Sequence, residues 1–195
     1  MQNETGKTPL MAARKVDPGP DEVRMEDLVR RAKLGDARAY EAVYRCCVGR
    51  IHGLCLRMLS NSEEAEELTQ DVFVRAWERL ETFRGDSRFT TWLHKLAVNL
   101  ILQHRRSMGR RWAREQLTDD PGKFGLRAAN ATPGKKIDLE RAIDDLPPKA
   151  QEVLILRDIE GYKYREVAQL TGTAVGTVKA QVHRARRMIQ EALER

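Results

Sequence analysis

The chain has 195 residues, 41% of them apolar and 6% aromatic, and its 35 Lys and Arg against 29 Asp and Glu leave +6 at pH 7. That suffices for one or two small helical domains, while no run reaches the roughly 18–20 apolar residues of a membrane span and the N-terminus lacks a signal peptide's apolar stretch, so a cytoplasmic protein without membrane insertion is expected. Cys46, Cys47 and Cys55 are an odd set without CxxC spacing and support neither a disulfide framework nor a zinc site.

In chain order, residues 1–24, with Asp17-Pro18-Gly19-Pro20 near their end, carry no sustained helical stripe and are expected to form a flexible tail. Residues 25–107 show a 3.6-residue period broken at Gly35-Asp36, Ser60-Asn61-Ser62 and Arg84-Gly85-Asp86-Ser87, which predicts a bundle of about four helices. Tyr40, Val43, Tyr44, Cys47, Ile51, Leu54 and Met58 share one stripe, so Cys47 is read as core packing with Cys55 at its edge. A redox or zinc role for Cys46, Cys55 and His52 is the alternative reading.

The stretch 60–83 holds seven acids and two bases. Ser62, or Asn61 with Glu64 three residues on, suits an N-cap, and Glu63 and Glu64 complement the helix dipole. Ala65, Leu68, Val72, Ala76, Leu80 and Phe83 form the apolar stripe. Another face carries Glu63, Glu67, Asp71 and Glu78, with Glu66 and Gln70 beside them. A solvated face is the plain reading, but like charges at i, i+4 cost a few tenths of a kcal/mol per pair unless a basic partner offsets them. A metal-dependent nuclease using Glu63, Glu67, Asp71 and His52 would need converging ligands, which one exposed ridge does not offer; no metal and no cofactor are expected.

The next block, 84–114, reverses the balance, with eight bases and one acid. Gly85, Asp86 and Ser87 make a turn, and Thr90 or Thr91 can cap the following helix. Leu93, Leu96, Ala97, Leu100 and Ile101 face a core, while Lys95, Asn99, Gln103 and Arg106 line the opposite face. Cations there suit phosphates and the amides suit base edges. Phe89 and Trp92 either pack in the core or stack on unpaired bases.

Residues 108–136, with Gly109, Pro121, Gly122, Gly125, Pro133 and Gly134, read as a linker. From 137 to 195 the helical pattern resumes with ten acids and ten bases. A short helix with Val167 and Ala168 inward ends near Thr171-Gly172, and a second begins around Ala174 to Gly176. Val178, Val182, Ala185, Ile189 and Ala192 form its buried side; Lys179, Ala180, His183, Arg184 and Arg187 form the other, with Arg186 at the border and no acid from Thr173 to Ile189. A donor-only helix after a short helix and a Gly-containing turn suits major-groove insertion. Its charge is expected to be balanced by Asp138, Glu140, Asp144 and Asp145. The fold class is therefore all-α: two small helical domains joined by a flexible linker, the C-terminal one a helix-turn-helix.

Two ordered motif groups carry a family resemblance. The first runs from Glu67-Leu68-Thr69-Gln70-Asp71-Val72-Phe73-Val74-Arg75-Ala76-Trp77, through Phe83-Arg84-Gly85-Asp86-Ser87 and Thr91-Trp92-Leu93, to Ala97-Val98-Asn99. The second comprises Leu146-Pro147, Val153-Leu154, Gly161-Tyr162, Glu166-Val167-Ala168, Val175-Gly176-Thr177-Val178-Lys179 and His183-Arg184-Ala185-Arg186. Together they closely resemble the sigma factors of bacterial RNA polymerase, in the compact extracytoplasmic-function (ECF) group.

The resemblance implies no covalent chemistry. It implies that residues 25–107 are sigma region 2, with Glu67, Gln70, Asp71, Val74 and Arg75 docking on core polymerase. Arg84, Asp86, Ser87, Phe89, Thr90, Trp92, Lys95, Asn99, Gln103 and Arg106 would recognise and melt the −10 element, Asn99 reading a base. Residues 137–195 would be region 4, with Lys179, Ala180, His183 and Arg184 at −35 bases and Thr177, Arg186 and Arg187 nearer phosphates. Promoter DNA, core polymerase and an anti-sigma factor are the implied partners, in service of a specialised stress or envelope response. Ala174 replaces the family's frequent small polar cap, and Lys179 and Ala180 replace a frequent Arg and Ser, so the −35 sequence does not transfer from relatives. A stand-alone helix-turn-helix regulator is the alternative; it would need a dimerisation surface, and no heptad seam is present.

Overall fold

The computed structural model describes residues 20–115 and 138–194. Most of the expected tail and linker lie outside them. The first unit consists of α1 (Pro20–Lys33), α2 (Ala37–Leu59), α3 (Ser62–Glu78), a 3-10 turn at Leu80–Thr82, and α4 (Phe89–Glu115). The second consists of α5 (Asp138–Asp144), α6 (Pro148–Leu154), a π-helical turn at Ile155–Ile159, α7 (Tyr164–Thr171) and α8 (Val175–Leu193). No strand occurs among the described residues.

Both helical boundaries of the first unit extend past the expected 25–107. α1 starts at Pro20, whose missing N–H costs nothing in a first turn. α4 continues through Gly109 to Glu115, because a single helical Gly costs only about 1 kcal/mol relative to Ala and Arg, Ala and Trp surround it.

Local chemistry starts each helix. Asp36 caps α2, accepting from the Ala39 N–H at 3.0 Å. Asn61, rather than Ser62, caps α3: its carbonyl accepts from Glu63 and Glu64 at 3.0 and 3.2 Å while its amide donates to Glu64. Neither Thr90 nor Thr91 caps α4. That helix begins one or two residues earlier, with the N–H groups of Thr91 and Trp92 both donating to the Arg88 carbonyl.

α2 and α3 pack side by side with α1 and α4 across them, burying Val43, Ile51, Leu54 and Met58 against Leu68, Val72, Ala76, Leu93, Ala97 and Ile101. The expected α3 stripe is buried from Ala65 to Phe83. Two positions of the α2 stripe shift: Tyr44 is 38% exposed and Cys55, expected at the edge, is fully buried. Burial pushes the Cys47 thiol up to about 11 and the Cys55 thiol upward as well, which suits packing residues.

In the second unit α5, α6 and α7 surround α8. Val178, Val182 and Ala185 are buried and Ile189 half-buried, whereas Ala192 is exposed, so the buried stripe is shorter than its spacing suggested. Gly172 closes α7 at φ +69°, a left-handed turn that sets the angle between the helix-turn-helix pair. α8 starts on Ala174 without a side-chain cap, and the neighbouring Thr173 hydroxyl bonds that of Thr171 at 2.8 Å. Ala174→Ser is accordingly expected to stabilise the second unit by about 1 kcal/mol, read as a raised urea midpoint with unchanged slope; an unchanged midpoint would show that the first turn of α8 gains nothing from a cap.

The two units also touch. α4 meets α7, and the buried apolar residues of both form one continuous cluster.

Candidate polymerase and nucleic-acid interfaces

On α3, Glu67, Gln70, Asp71, Val74 and Arg75 all lie exposed on the ridge opposite the core. Glu64 is not available to that ridge, being engaged by the Asn61 cap and by His104 at 3.1 Å. Arg75 pairs with Glu78 at 3.3 Å, an exposed contact of little energetic weight. Beside the acids stands an apolar patch of which only Val74 was expected at this surface: Val74 is 56% and Trp77 41% exposed, and Tyr44 borders them from α2. Trp77 packs on Tyr40 and Tyr44 on Phe73, both at 4.7 Å between ring centroids. The Tyr40 hydroxyl donates to the Phe73 carbonyl at 2.5 Å, and burial pushes its acidity constant up to about 12. The rings are thus fixed at one edge and open at the other, the arrangement of a partner surface. Trp77 follows Gln70 and Val74 at helical steps, and that spacing was the available signal.

The turn between α3 and α4 uses Gly85 at φ +79° and exposes Arg84, Asp86 and Ser87. Lys33 on α1 anchors its start, donating to the Phe83 carbonyl with its ammonium 5.3 Å above the Phe83 ring. Phe83, Phe89 and Trp92 form a three-ring cluster with centroids 5.5–5.6 Å apart. Phe89 is only 2% exposed. It is a core residue here, which corrects its place among residues offered to bases; Trp92, half-buried, keeps part of its ring accessible. Thr90 is half-buried in the first turn of α4, and Lys95, Asn99, Gln103 and Arg106 follow as an exposed ridge.

That ridge faces the second unit. Lys95, Asn99 and Arg106 form one wall of a cleft of about 630 Å³ whose other wall is Tyr162, Glu166 and residues Gln169–Gly172. Arg106 donates to the Leu170 carbonyl. Toward the start of α4, next to Lys95, His94 contacts the Tyr162 hydroxyl at 3.1 Å and Glu160 at 2.8 Å, and Arg57 donates to the same carboxylate at 2.8 Å. The hydrogen bond from His94 and that from Arg57 hold the Glu160 carboxyl below its ordinary range. Its contribution to this contact is therefore complete above the ordinary carboxylate range and is lost as pH falls through the lowered value.

On α8, Thr177, Lys179, Ala180, His183, Arg184, Arg186 and Arg187 are all exposed on one side. Two of them have partners within the chain. Arg186 makes a two-pronged contact with Asp158 on the π-helical turn at 2.7 and 2.8 Å, so its fork is occupied rather than free for phosphate. Arg187 lies 3.4 Å from Glu191. Lys179 sits 5.9 Å from the centre of the Tyr164 ring, which also carries Arg157 at 4.7 Å. The acids paired with the exposed side of α8 are thus Asp158 and, within the helix, Glu191. Among the acids expected in that role, Asp144 instead accepts from Ser60 of the first unit at 2.7 Å.

An all-helical chain with an exposed acidic and aromatic ridge, a cationic amide-bearing ridge and a helix-turn-helix is of the class of DNA-reading transcription proteins. Residues 43–111 match the Sigma-70 region 2 family and residues 136–189 match Sigma-70 region 4. Over 180 residues the chain is 32% identical to the RNA polymerase sigma-H factor of Pseudomonas aeruginosa, covering 87% of this chain and 93% of that protein. It is 30% identical to the ECF RNA polymerase sigma-E factor of Haemophilus influenzae, with coverage of 86% and 94%. Its fold is similar to that of the sigma factor RpoE solved with the anti-sigma factor NepR from Bartonella quintana, at 24% identity and TM-score 0.56 over 81% of this chain and 98% of that one. It is also similar to CnrH solved with the cytosolic domain of CnrY, at 25% identity and TM-score 0.52 over 88% and 97%. The chain belongs to the sigma-factor family of RNA polymerase, in its ECF group, and is a promoter-recognising transcription initiation factor. Among the described residues no helix is long and apolar enough to cross a membrane.

Proposed function

We propose that the protein docks on core RNA polymerase through Glu67, Gln70, Asp71, Val74 and Arg75 of α3, with Trp77 and Tyr44 completing that surface. Arg84, Asp86, Ser87, Thr90, Trp92, Lys95, Asn99, Gln103 and Arg106 then recognise and open the −10 element, and Thr177, Lys179, Ala180, His183, Arg184 and Arg187 read the −35 duplex. Arg186 serves first to hold α8 against Asp158. The reading is supported above all by one observation: three separate exposed ridges of complementary chemistry, acidic on α3, cationic with amides on α4 and acid-free on α8, project from one small chain.

Opening DNA needs no ATP here. Unstacking costs a few kcal/mol per base and is offset by capture of a flipped base beside Trp92 and Asn99 together with phosphate contacts from Arg84 and Lys95. Docking on polymerase places both reading units on one promoter, so the free chain binds DNA weakly and with strong salt dependence. The working place is the cytoplasm, the regulon a specialised stress or envelope response, and an anti-sigma factor a further partner, in line with the complexes in which its structural neighbours were solved. Reconstituted transcription tests the reading: core polymerase with this protein should start at discrete sites in a genomic fragment library, and the absence of any start would refute it.

A further inference from the structure

Lys179 poses a problem of readout. A lysine ammonium is a point charge on a flexible four-carbon stem, whereas an arginine brings a planar fork that fits guanine O6 and N7. Lys179 is the fifth residue of α8 and is exposed, in the N-terminal part of a recognition helix, which approaches base edges. Left free, its ammonium would settle on the nearest phosphate, since α8 carries no acid before Glu191 to hold it, and a phosphate contact reads no sequence.

The structure holds it elsewhere. The Lys179 ammonium lies over the Tyr164 ring, 5.9 Å from its centre, within the range in which an aromatic face attracts a cation. Tyr164 opens α7, the first helix of the helix-turn-helix pair, and is half-buried, packed against the core on one part of its ring and open on the rest. The same ring carries the Arg157 guanidinium at 4.7 Å. Arg157 is itself fixed: it donates to the Tyr162 carbonyl at 3.2 Å, and its Nε is buried with no hydrogen-bond partner among the described residues. A guanidinium with a buried, unmet N–H is costly to place, and the ring is the contact that compensates it. Arg157 comes from the π-helical turn at Ile155–Ile159, closed by the Glu160 N–H donating to the Ile155 carbonyl at 2.9 Å; such turns concentrate at functional sites. The next residue of that turn, Asp158, holds Arg186. One widened turn thus grips α8 twice, directly at Arg186 and through Tyr164 at Lys179.

We infer that Tyr164, braced by Arg157, is a positioning residue for the −35 element: its ring orders the Lys179 side chain toward the base edges, so that a lysine specifies a base pair where an unsupported one would bind phosphate. This role rests on the function proposed above, in which Lys179 lies at −35 bases. It adds two residues that act through Lys179 without touching a base.

The test uses holoenzymes of core polymerase with the full chain on a promoter library randomised in the −35 element; circular dichroism reports the fold of each variant. Lys179→Ala identifies the base pair that Lys179 reads, as the position whose preference flattens. Tyr164→Leu, which keeps apolar bulk but loses the aromatic face, should reduce the preference at that position about two- to fivefold, the weight of an exposed cation–π contact, and leave other positions as in wild type. Tyr164→Phe keeps the ring and should retain the full preference. Arg157→Met, in which the ring is intact but unbraced, should flatten the same position. Added to Lys179→Ala, Tyr164→Leu should change nothing further there. A uniform loss across all positions in Tyr164→Leu would overturn the positioning role in favour of a fold or phosphate contact, and an equal loss in Tyr164→Phe would overturn it in favour of a hydroxyl contact. Wild-type preference in Tyr164→Leu beside a flattened position in Lys179→Ala would also overturn it, leaving the base contact in place. A silent Arg157→Met beside a flattened Tyr164→Leu would remove Arg157 from the pair. If Lys179→Ala flattens no position, the placement of Lys179 at −35 bases fails first, and the role of Tyr164 with it.

Discussion

Replacing Glu67 and Asp71 together by lysine is expected to weaken binding to core RNA polymerase by about a hundredfold or more and to remove promoter-dependent transcription, with the fold intact. The two carboxylates are exposed one helical turn apart on α3, and neither has a hydrogen-bond or ion-pair partner among the described residues. Their repulsion is a small cost that a cationic partner removes. Reversing both charges places like charges across such an interface, which costs several kcal/mol, and about 1.4 kcal/mol is already tenfold in affinity. Stability should stay within about 1 kcal/mol, because exposed substitutions of this kind fall near ±0.5 kcal/mol each. Anisotropy of labelled protein titrated with core polymerase measures the first quantity and thermal unfolding the second. Unchanged polymerase affinity would sink the assignment of α3 as the docking ridge, whereas a collapsed melting temperature would place the two acids in the fold instead.

The legibility of that ridge follows from its chemistry being local. An i, i+3, i+4 stripe from Ala65 to Phe83 determines which side of α3 is buried, so the exposed side, with Glu67, Gln70 and Asp71, follows by elimination. The same holds for α8, where Val178, Val182 and Ala185 orient the reading face, and for the Gly172 turn, where a left-handed residue was needed. Periodicity decides a side but not a depth. Phe89 and Trp92 stand three residues apart beside the same turn and both pack on Phe83, yet Phe89 is buried and Trp92 only half-buried, a difference their spacing does not carry.

Contacts between distant segments left no comparable trace. His94 meets Glu160 66 residues away and Arg57 reaches the same carboxylate over 103; no helical period relates them, and each alone reads as an ordinary charged or polar surface residue. Charge balance misled for a related reason. The ten acids of residues 137–195 are counted easily, but their direction is tertiary: Asp158 turns to Arg186 while Asp144, Glu152 and Glu160 turn to the first unit or the junction. The neutral total therefore conceals a unit with cations on one side of α8 and acids on another that meet Ser60, Arg105, Arg57 and His94 of its neighbour.

Within α8, Arg184→Ala and Arg187→Ala should fail in different ways on a −35 duplex once the promoter is known from transcript starts. Arg184 stands with Lys179, Ala180 and His183 on the exposed side, and a side chain that reaches base edges carries about 1–3 kcal/mol of discrimination. Arg184→Ala should therefore lower initiation about tenfold to a hundredfold on the cognate element and flatten the preference at one base-pair position. Arg187 lies a turn further on and 3.4 Å from Glu191; as a phosphate contact its loss should weaken all sequences alike and reduce the salt slope of binding by about one. Arg186 supplies the internal contrast, since its fork is held by Asp158 at 2.7 and 2.8 Å. Asp158→Asn should free it and disturb the placement of α8, whereas Arg186→Lys, which keeps charge but not the two-pronged geometry, should do the same without changing net charge. Initiation from a randomised −35 library by holoenzymes carrying each variant reads all of these at once. Identical preference profiles for Arg184→Ala and wild type would remove Arg184 from base readout, and a position-specific change in Arg187→Ala would move that arginine into it.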